Sequence, residues 1–104
     1  MELIRRNMAQ IIALCEKYKV RDLYAFGSIL TDKFNDKSDV DLVVIFDRES
    51  LSPLEYADNY FGLRFALEDL FRREVDLVEY EAIRNPYFKE EVDETKRVIY
   101  GQAA

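Results

Sequence analysis

Asp39-Val40-Asp41-Leu42-Val43-Val44-Ile45-Phe46 is the clearest strand in the sequence. Its body is β-branched and apolar, and the run is too short to favour a helix. Upstream, residues 29–38 are polar, with Thr31, Asp32, Lys33, Asn35, Asp36 and Lys37, and read as a loop with room for one helical turn. Before that loop, Gly27-Ser28 ends a shorter strand at 22–26, Asp-Leu-Tyr-Ala-Phe. Further back, Ile4, Met8, Ile11, Ile12 and Cys15 recur at three- and four-residue steps, which predicts an amphipathic helix over 3–18.

Downstream of the strand, Ser52 is a helix N-cap with Pro53 in the first turn. A helix follows to about Phe71 with Leu54, Ala57, Phe61, Phe65 and Leu70 as its apolar residues, and Gly62 inside it suggests a close helix–sheet approach. Residues 74–79, Glu-Val-Asp-Leu-Val-Glu, form a third strand. Asn85-Pro86 starts a last helix that carries Phe88, Val92, Thr95 and Ile99 on one face and stops before Gly101. The order α-β-β-α-β-α predicts an α/β (α+β) fold: a small mixed sheet of three or more strands with helices on one face. Strand directions are left open by the pattern. With 104 residues, no repeat and no low-complexity linker, the chain reads as a single domain, 1–104.

Composition narrows the function. Hydrophobic residues at 49% and charged residues at 35% describe a globular protein with a real core, which excludes a disordered chain. A net charge of −6 argues against a broad nucleic-acid footprint and suits a metal ion or a basic protein partner. There is no histidine, which removes imidazole catalysis and the commonest zinc sites. The lone Cys15 cannot form an internal disulfide and falls on the apolar face of its helix, as a small core residue. Charges interrupt the N-terminal apolar residues, so neither a signal peptide nor a membrane span is expected there, and the expected compartment is the cytoplasm.

The candidate chemistry lies at the start of the central strand. Asp39 and Asp41 are two residues apart and point to the same side, roughly 7 Å apart along the strand. Such an Asp-X-Asp also suits a loop cap followed by a solvated strand end. Asp76, inside a second apolar strand whose Val-Asp-Leu-Val repeats that of residues 40–43, changes the balance. If the strands are neighbours, three carboxylates converge. Like charges on one rim need a compensating cation, and hard oxygen donors beside phosphate suit Mg²⁺, as one ion or two. Gly27-Ser28 adds a turn where backbone can approach phosphate closely and a hydroxyl that can donate.

Phe26-Gly27-Ser28, ten residues, then Asp39-Val40-Asp41, resembles the Gly-Ser-X10-Asp-X-Asp signature of polymerase-β-like nucleotidyltransferases, and Asp76 matches the third family carboxylate in spacing and strand context. The short chain and its ending, Asn85-Pro86-Tyr87-Phe88 followed by residues 90–100, are similar to the minimal nucleotidyltransferase (MNT) group. The resemblance implies transfer of a nucleoside monophosphate from a triphosphate such as ATP, with two Mg²⁺ ions and departure of pyrophosphate. Gly27 and Ser28 would bind the nucleotide's triphosphate. Asp39, Asp41 and Asp76 would be the catalytic and metal-binding residues, with Asp76 also activating the acceptor hydroxyl. One departure stands out: many members have Arg after the serine and a glycine a few residues on, where this chain has Ile29 and Thr31-Asp32-Lys33. Lys33 or Lys37 are the available replacements.

The MNT group resembles the antitoxin half of HEPN–MNT toxin–antitoxin pairs, in which AMP goes to a tyrosine of a helical ribonuclease. The resemblance therefore implies an antitoxin that AMPylates a HEPN-type toxin partner, with no direct nucleic-acid binding and no membrane. Assembly with itself or with the toxin is left open. Two other readings stay beside it: a binding module that neutralises its partner by contact, and a small-molecule, antibiotic-type nucleotidyltransferase. The intact acids weigh against the first, and the lack of a further acceptor-holding domain weighs against the second.

Overall fold

Residues 40–46 become a buried central strand because their neighbours on both sides are strands too. In the computed structural model, which describes residues 1–101, β1 (Val20–Phe26), β2 (Val40–Phe46), β3 (Val75–Glu79) and β4 (Arg97–Tyr100) form one sheet in the order β3-β2-β1-β4. β2 runs antiparallel to β1 and parallel to β3, and β4 is antiparallel to β1. The sheet is therefore mixed. Four α-helices accompany it among the described residues: α1 (Glu2–Arg5), α2 (Met8–Lys17), α3 (Pro53–Phe71) and α4 (Pro86–Thr95).

Alternation along the strands sorts two apolar layers. Val40, Leu42, Val44 and Phe46 turn to one side, where with Leu23, Ala25, Val75 and Leu77 they meet Ile4, Ile11 and Cys15 and the Leu63, Leu67 and Phe71 side of α3. Phe26 and Val43 turn to the other side and pack on Val92 and Phe88 of α4. Helices thus lie on both faces, not on one as the pattern suggested. The sequence order hid this because α4 is short and contributes a single fully buried residue, Val92.

Helix and strand ends differ from the sequence reading for identifiable reasons. The helix expected over 3–18 is broken into α1 and α2 at Arg6-Asn7, where the Asn7 amide donates to the Leu3 carbonyl at 2.8 Å and competes with the backbone ladder. The start of α3 is as read: Ser52 Oγ accepts from the Glu55 N–H at 3.3 Å, and Glu55 accepts from the Ser52 N–H at 2.9 Å, a full capping box. The last helix ends at Thr95 instead of reaching Ile99. Lys96 turns extended, and Arg97-Val98-Ile99-Tyr100, rich in strand formers, covers the open edge of β1 as β4.

The phase of α3 is the largest difference. Of the apolar residues that mark the helix in sequence, Leu54, Phe61 and Phe65 are 82%, 49% and 59% exposed, while the buried ones are Leu63, Leu67 and Phe71. Gly62 does mark a close approach, but to Tyr18 at the end of α2 and not to the sheet: a Cβ there would lie 2.5 Å from Tyr18 Cε1. Cys15 is fully buried, as expected of a core residue, and burial pushes its thiol up to about 12.

The two sides of α3 give a direct check. Leu63→Ala should cost about 2–5 kcal/mol of unfolding free energy, whereas Phe65→Ala should stay within about 0.5 kcal/mol. Urea denaturation followed by circular dichroism measures both. Equal losses would mean that the helix buries a different face.

Candidate active site

Register brings the candidate residues together. Asp41, in the second position of β2, pairs with Phe26 on one neighbouring strand and with Asp76 on the other. Strand spacing of about 4.8 Å puts Asp41 and Asp76 side by side, and Asp39 stands two residues before Asp41 on the same side. Asp41 is half-buried, while Asp39 and Asp76 are exposed. Burial, and then the charges of Asp76 and Asp39, raise the Asp41 carboxyl above its ordinary pKa. Among the described residues, neither lysine nor arginine forms an ion pair with any of the three.

The Gly27 turn leans on the same carboxylate. Gly27 has φ +78°, and a Cβ on it would fall 2.5 Å from Asp41 Oδ2. Only glycine combines that backbone with that proximity. Gly27–Leu30 form one short 3-10 turn, in which the half-buried Ser28 accepts through its carbonyl from the Thr31 N–H at 2.9 Å and from Thr31 Oγ1 at 2.8 Å. Ile29, which follows Ser28, is buried and belongs to the core. Lys33 and Lys37 are exposed on the following loop. Their backbone N–H groups close turns onto Thr31 Oγ1 and Asn35 Oδ1.

Several residues that hold this arrangement escaped the sequence reading. β3 is an edge strand, and α3 covers its free edge on both sides of Asp76. Glu68 accepts from the Val75 N–H at 3.1 Å, and the Tyr60 hydroxyl donates to the Leu77 carbonyl at 2.6 Å. Arg73 braces the loop before Asp39: its Nη1 donates to the Asn35 and Ser38 carbonyls, each at 2.9 Å, and its guanidinium lies 4.8 Å from the Phe34 ring centroid. In sequence, these side chains are indistinguishable from solvated charges on a helix and its end.

Two cavities flank the acids. Gly27 opens onto one of about 610 Å³, bounded by Phe26, Thr31, Glu94, Lys96 and Arg97, a size suited to a small-molecule ligand. Asp39 and Asp76 open onto another of about 280 Å³, with Tyr60, Arg64, Glu68 and Glu74. The donor set around Asp41, carboxylate oxygens only, fits a hard divalent cation. Among the described residues no three acids form a closed ion cage.

Residues 9–104 match the family described as polymerase beta, nucleotidyltransferase. The chain belongs to that family. A Methanocaldococcus jannaschii protein provisionally named a protein adenylyltransferase is 41% identical over 81 residues, 78% of each chain. A second from the same organism, with the same provisional name, is 33% identical over 94 residues, 89% of this chain and 87% of that one.

Among solved structures, one described as a minimal nucleotidyltransferase, again provisionally, aligns with TM-score 0.71 and 28% identity over 92% of both chains. A toxin–antitoxin structure with AMP-PNP aligns with TM-score 0.70 and 22% identity over 93% of this chain and 75% of that one. The complex of a tri-AMPylated Shewanella oneidensis HEPN toxin with its MNT antitoxin aligns with TM-score 0.64 and 21% identity, covering 95% of this chain and 73% of that one. The last two establish likeness of fold. As an enzyme, this chain is a nucleotidyltransferase, and both Methanocaldococcus relatives carry names for protein adenylylation.

The raised pKa of Asp41 has a measurable consequence in this nucleotidyltransferase when chelator is present. The folded chain holds the Asp41 proton more tightly than the unfolded chain does. Stability is therefore spared below the ordinary carboxylate pKa and is lost as pH climbs through the raised value. Asp41→Asn should melt at a higher temperature than wild type at pH 7 in EDTA, with the gap closing as pH falls toward the ordinary carboxylate range. Differential scanning calorimetry across that range measures it. A variant less stable than wild type at pH 7 would mean that the carboxylate is already compensated within the fold.

Proposed function

We propose that this chain transfers AMP from ATP to a hydroxyl, that of a tyrosine, on a HEPN-type toxin protein, and so acts as an antitoxin. The observation that carries the reading is the convergence of Asp39, Asp41 and Asp76 on one patch beside the Gly27 turn. Support also comes from the relatives named for protein adenylylation and from the fold shared with MNT antitoxins.

In this reading Gly27 and Ser28 grip the triphosphate from the strand end, while Asp39, Asp41 and Asp76 hold two Mg²⁺ ions. Bound there, such ions would supply positive charge against the three acids and Lewis acidity toward the phosphate oxygens. The acceptor oxygen bonds to the α-phosphorus, the bond from that phosphorus to the pyrophosphate oxygen breaks, and Asp76 receives the hydroxyl proton. Positioning and charge carry most of such a transfer. Residues 1–104 would act as one domain. None of the helices among the described residues is long and apolar enough to cross a membrane, and the proposed place of work is the cytoplasm.

The test is transfer of label from α-³²P-ATP to a HEPN protein of the same genome. Wild type should label it only with Mg²⁺ or Mn²⁺. Asp39→Asn with Asp41→Asn should fold, retain partner binding and lose at least about a hundredfold in rate. Absence of label with wild type, while both proteins neutralise the toxin equally, would establish contact inhibition instead. In calorimetry, ATP should bind appreciably with Mg²⁺ and weakly in EDTA, and equal affinities would argue against metal-mediated binding.

A further inference from the structure

The side of α3 that faces solvent is apolar where charge is the ordinary choice. At 3.6 residues per turn, Leu54, Phe61 and Phe65 fall within an arc of about 40°, opposite the buried Leu63 and Leu67. They are 82%, 49% and 59% exposed. The Phe61 and Phe65 rings stack at 6.4 Å with 27° between planes. Single exposed apolar side chains are common, but three large ones aligned on one helix make a patch of the kind that marks an interaction site.

Its surroundings select the occupant. Exposed Asp58 and Asp69 border the stripe on one flank. The chain as a whole carries −6, so a second copy would bring like charge against like charge. A basic partner avoids that repulsion. On the other flank the stripe runs into the acid site: the Arg64 guanidinium lies 5.6 Å from the Phe65 ring centroid, and Tyr60 meets Phe61 edge-on at 5.1 Å. Tyr60 and Arg64 also line the cavity that holds Asp39 and Asp76. The enclosed Nε of Arg64 has no hydrogen-bond partner among the described residues.

We infer that the outward face of α3 is the docking surface for the acceptor protein, whose apolar ridge, flanked by lysine or arginine, seats on Leu54, Phe61 and Phe65 and brings its hydroxyl-bearing segment past Arg64 to the Asp39–Asp76 cavity. This rests on the proposed transfer to a protein acceptor and adds where that acceptor binds.

The experiment uses the full chain, the HEPN protein of the same genome as probe, and the variant Phe61→Ser with Phe65→Ser. Mg²⁺–ATP affinity should match wild type, because neither ring touches the acids, and the variant should stay folded with a small loss in melting temperature, because both rings are largely exposed. Partner affinity should fall by at least about thirtyfold, the effect of losing two aromatic anchors at an interface centre. Label transfer should fall through KM for the partner, with kcat kept. Replacing Asp58 and Asp69 by Lys should also weaken binding, most strongly at low salt. Wild-type affinity and KM in the Phe variant would overturn the docking surface while leaving the transfer reading standing. A wild type that neither binds nor labels the partner would overturn the transfer reading itself. A wild-type dimer in light scattering that the Phe variant dissolves would assign the stripe to a second copy and overturn the inference.

Discussion

The repulsion among Asp39, Asp41 and Asp76 is the constraint around which the rest is arranged. Two of these acids sit on paired positions of neighbouring strands, and the third is two residues away along one of them. Water screens Asp39 and Asp76, but Asp41 is half-buried against Gly27 and meets both charges through a poorer dielectric. A fold optimised for stability alone would place an apolar or hydroxyl side chain at this point of the central strand. Tolerating the repulsion needs a sheet held firmly enough that the acids cannot spread by bending the backbone.

That firmness comes from side chains far from the acids in sequence. An edge strand such as β3 exposes backbone donors and acceptors and is free to shift. Here Glu68 and Tyr60 bind backbone groups of Val75 and Leu77, the residues on either side of Asp76. Such bonds contribute about 1 kcal/mol each, but their placement matters more than their sum, because they fix the strand where a carboxylate must keep its register with Asp41. Arg73 does the same for the loop that delivers Asp39. One helix and its first residues beyond the end therefore position two of the three acids.

The sequence made the candidate site legible because its signals are local. A strand of eight residues, two acids at a period-two spacing and a Gly-Ser break can each be read in place, and Gly27 proved to need both its positive φ and its missing side chain. What the sequence hid depends on choices made elsewhere in the fold. β4 was taken into a helix because Phe88 and Val92 share the period that Ile99 happens to continue, whereas the open edge of β1 decides its state. The phase of α3 is not legible in sequence because this helix has apolar residues on opposite sides, and hydrophobicity alone ranks Phe61 and Phe65 no lower than Leu63 and Leu67. Arg73, Tyr60 and Glu68 carry no local mark at all, since their partners are backbone groups.

Ile29 ties these threads together. Directly after Ser28, this chain buries an aliphatic residue under the turn. Ile29 ties the Gly27–Leu30 turn to the core, and the turn itself carries no cation. Two acids open onto a cavity that has Arg64 on its wall, and Gly27 opens onto another that includes Lys96 and Arg97. The cations on these two cavity walls thus come from α3 and from the α4–β4 junction, with Arg64 paired to Glu68 and Lys96 to Asp93. α3 and β4 are the elements whose placement only the assembled sheet determines.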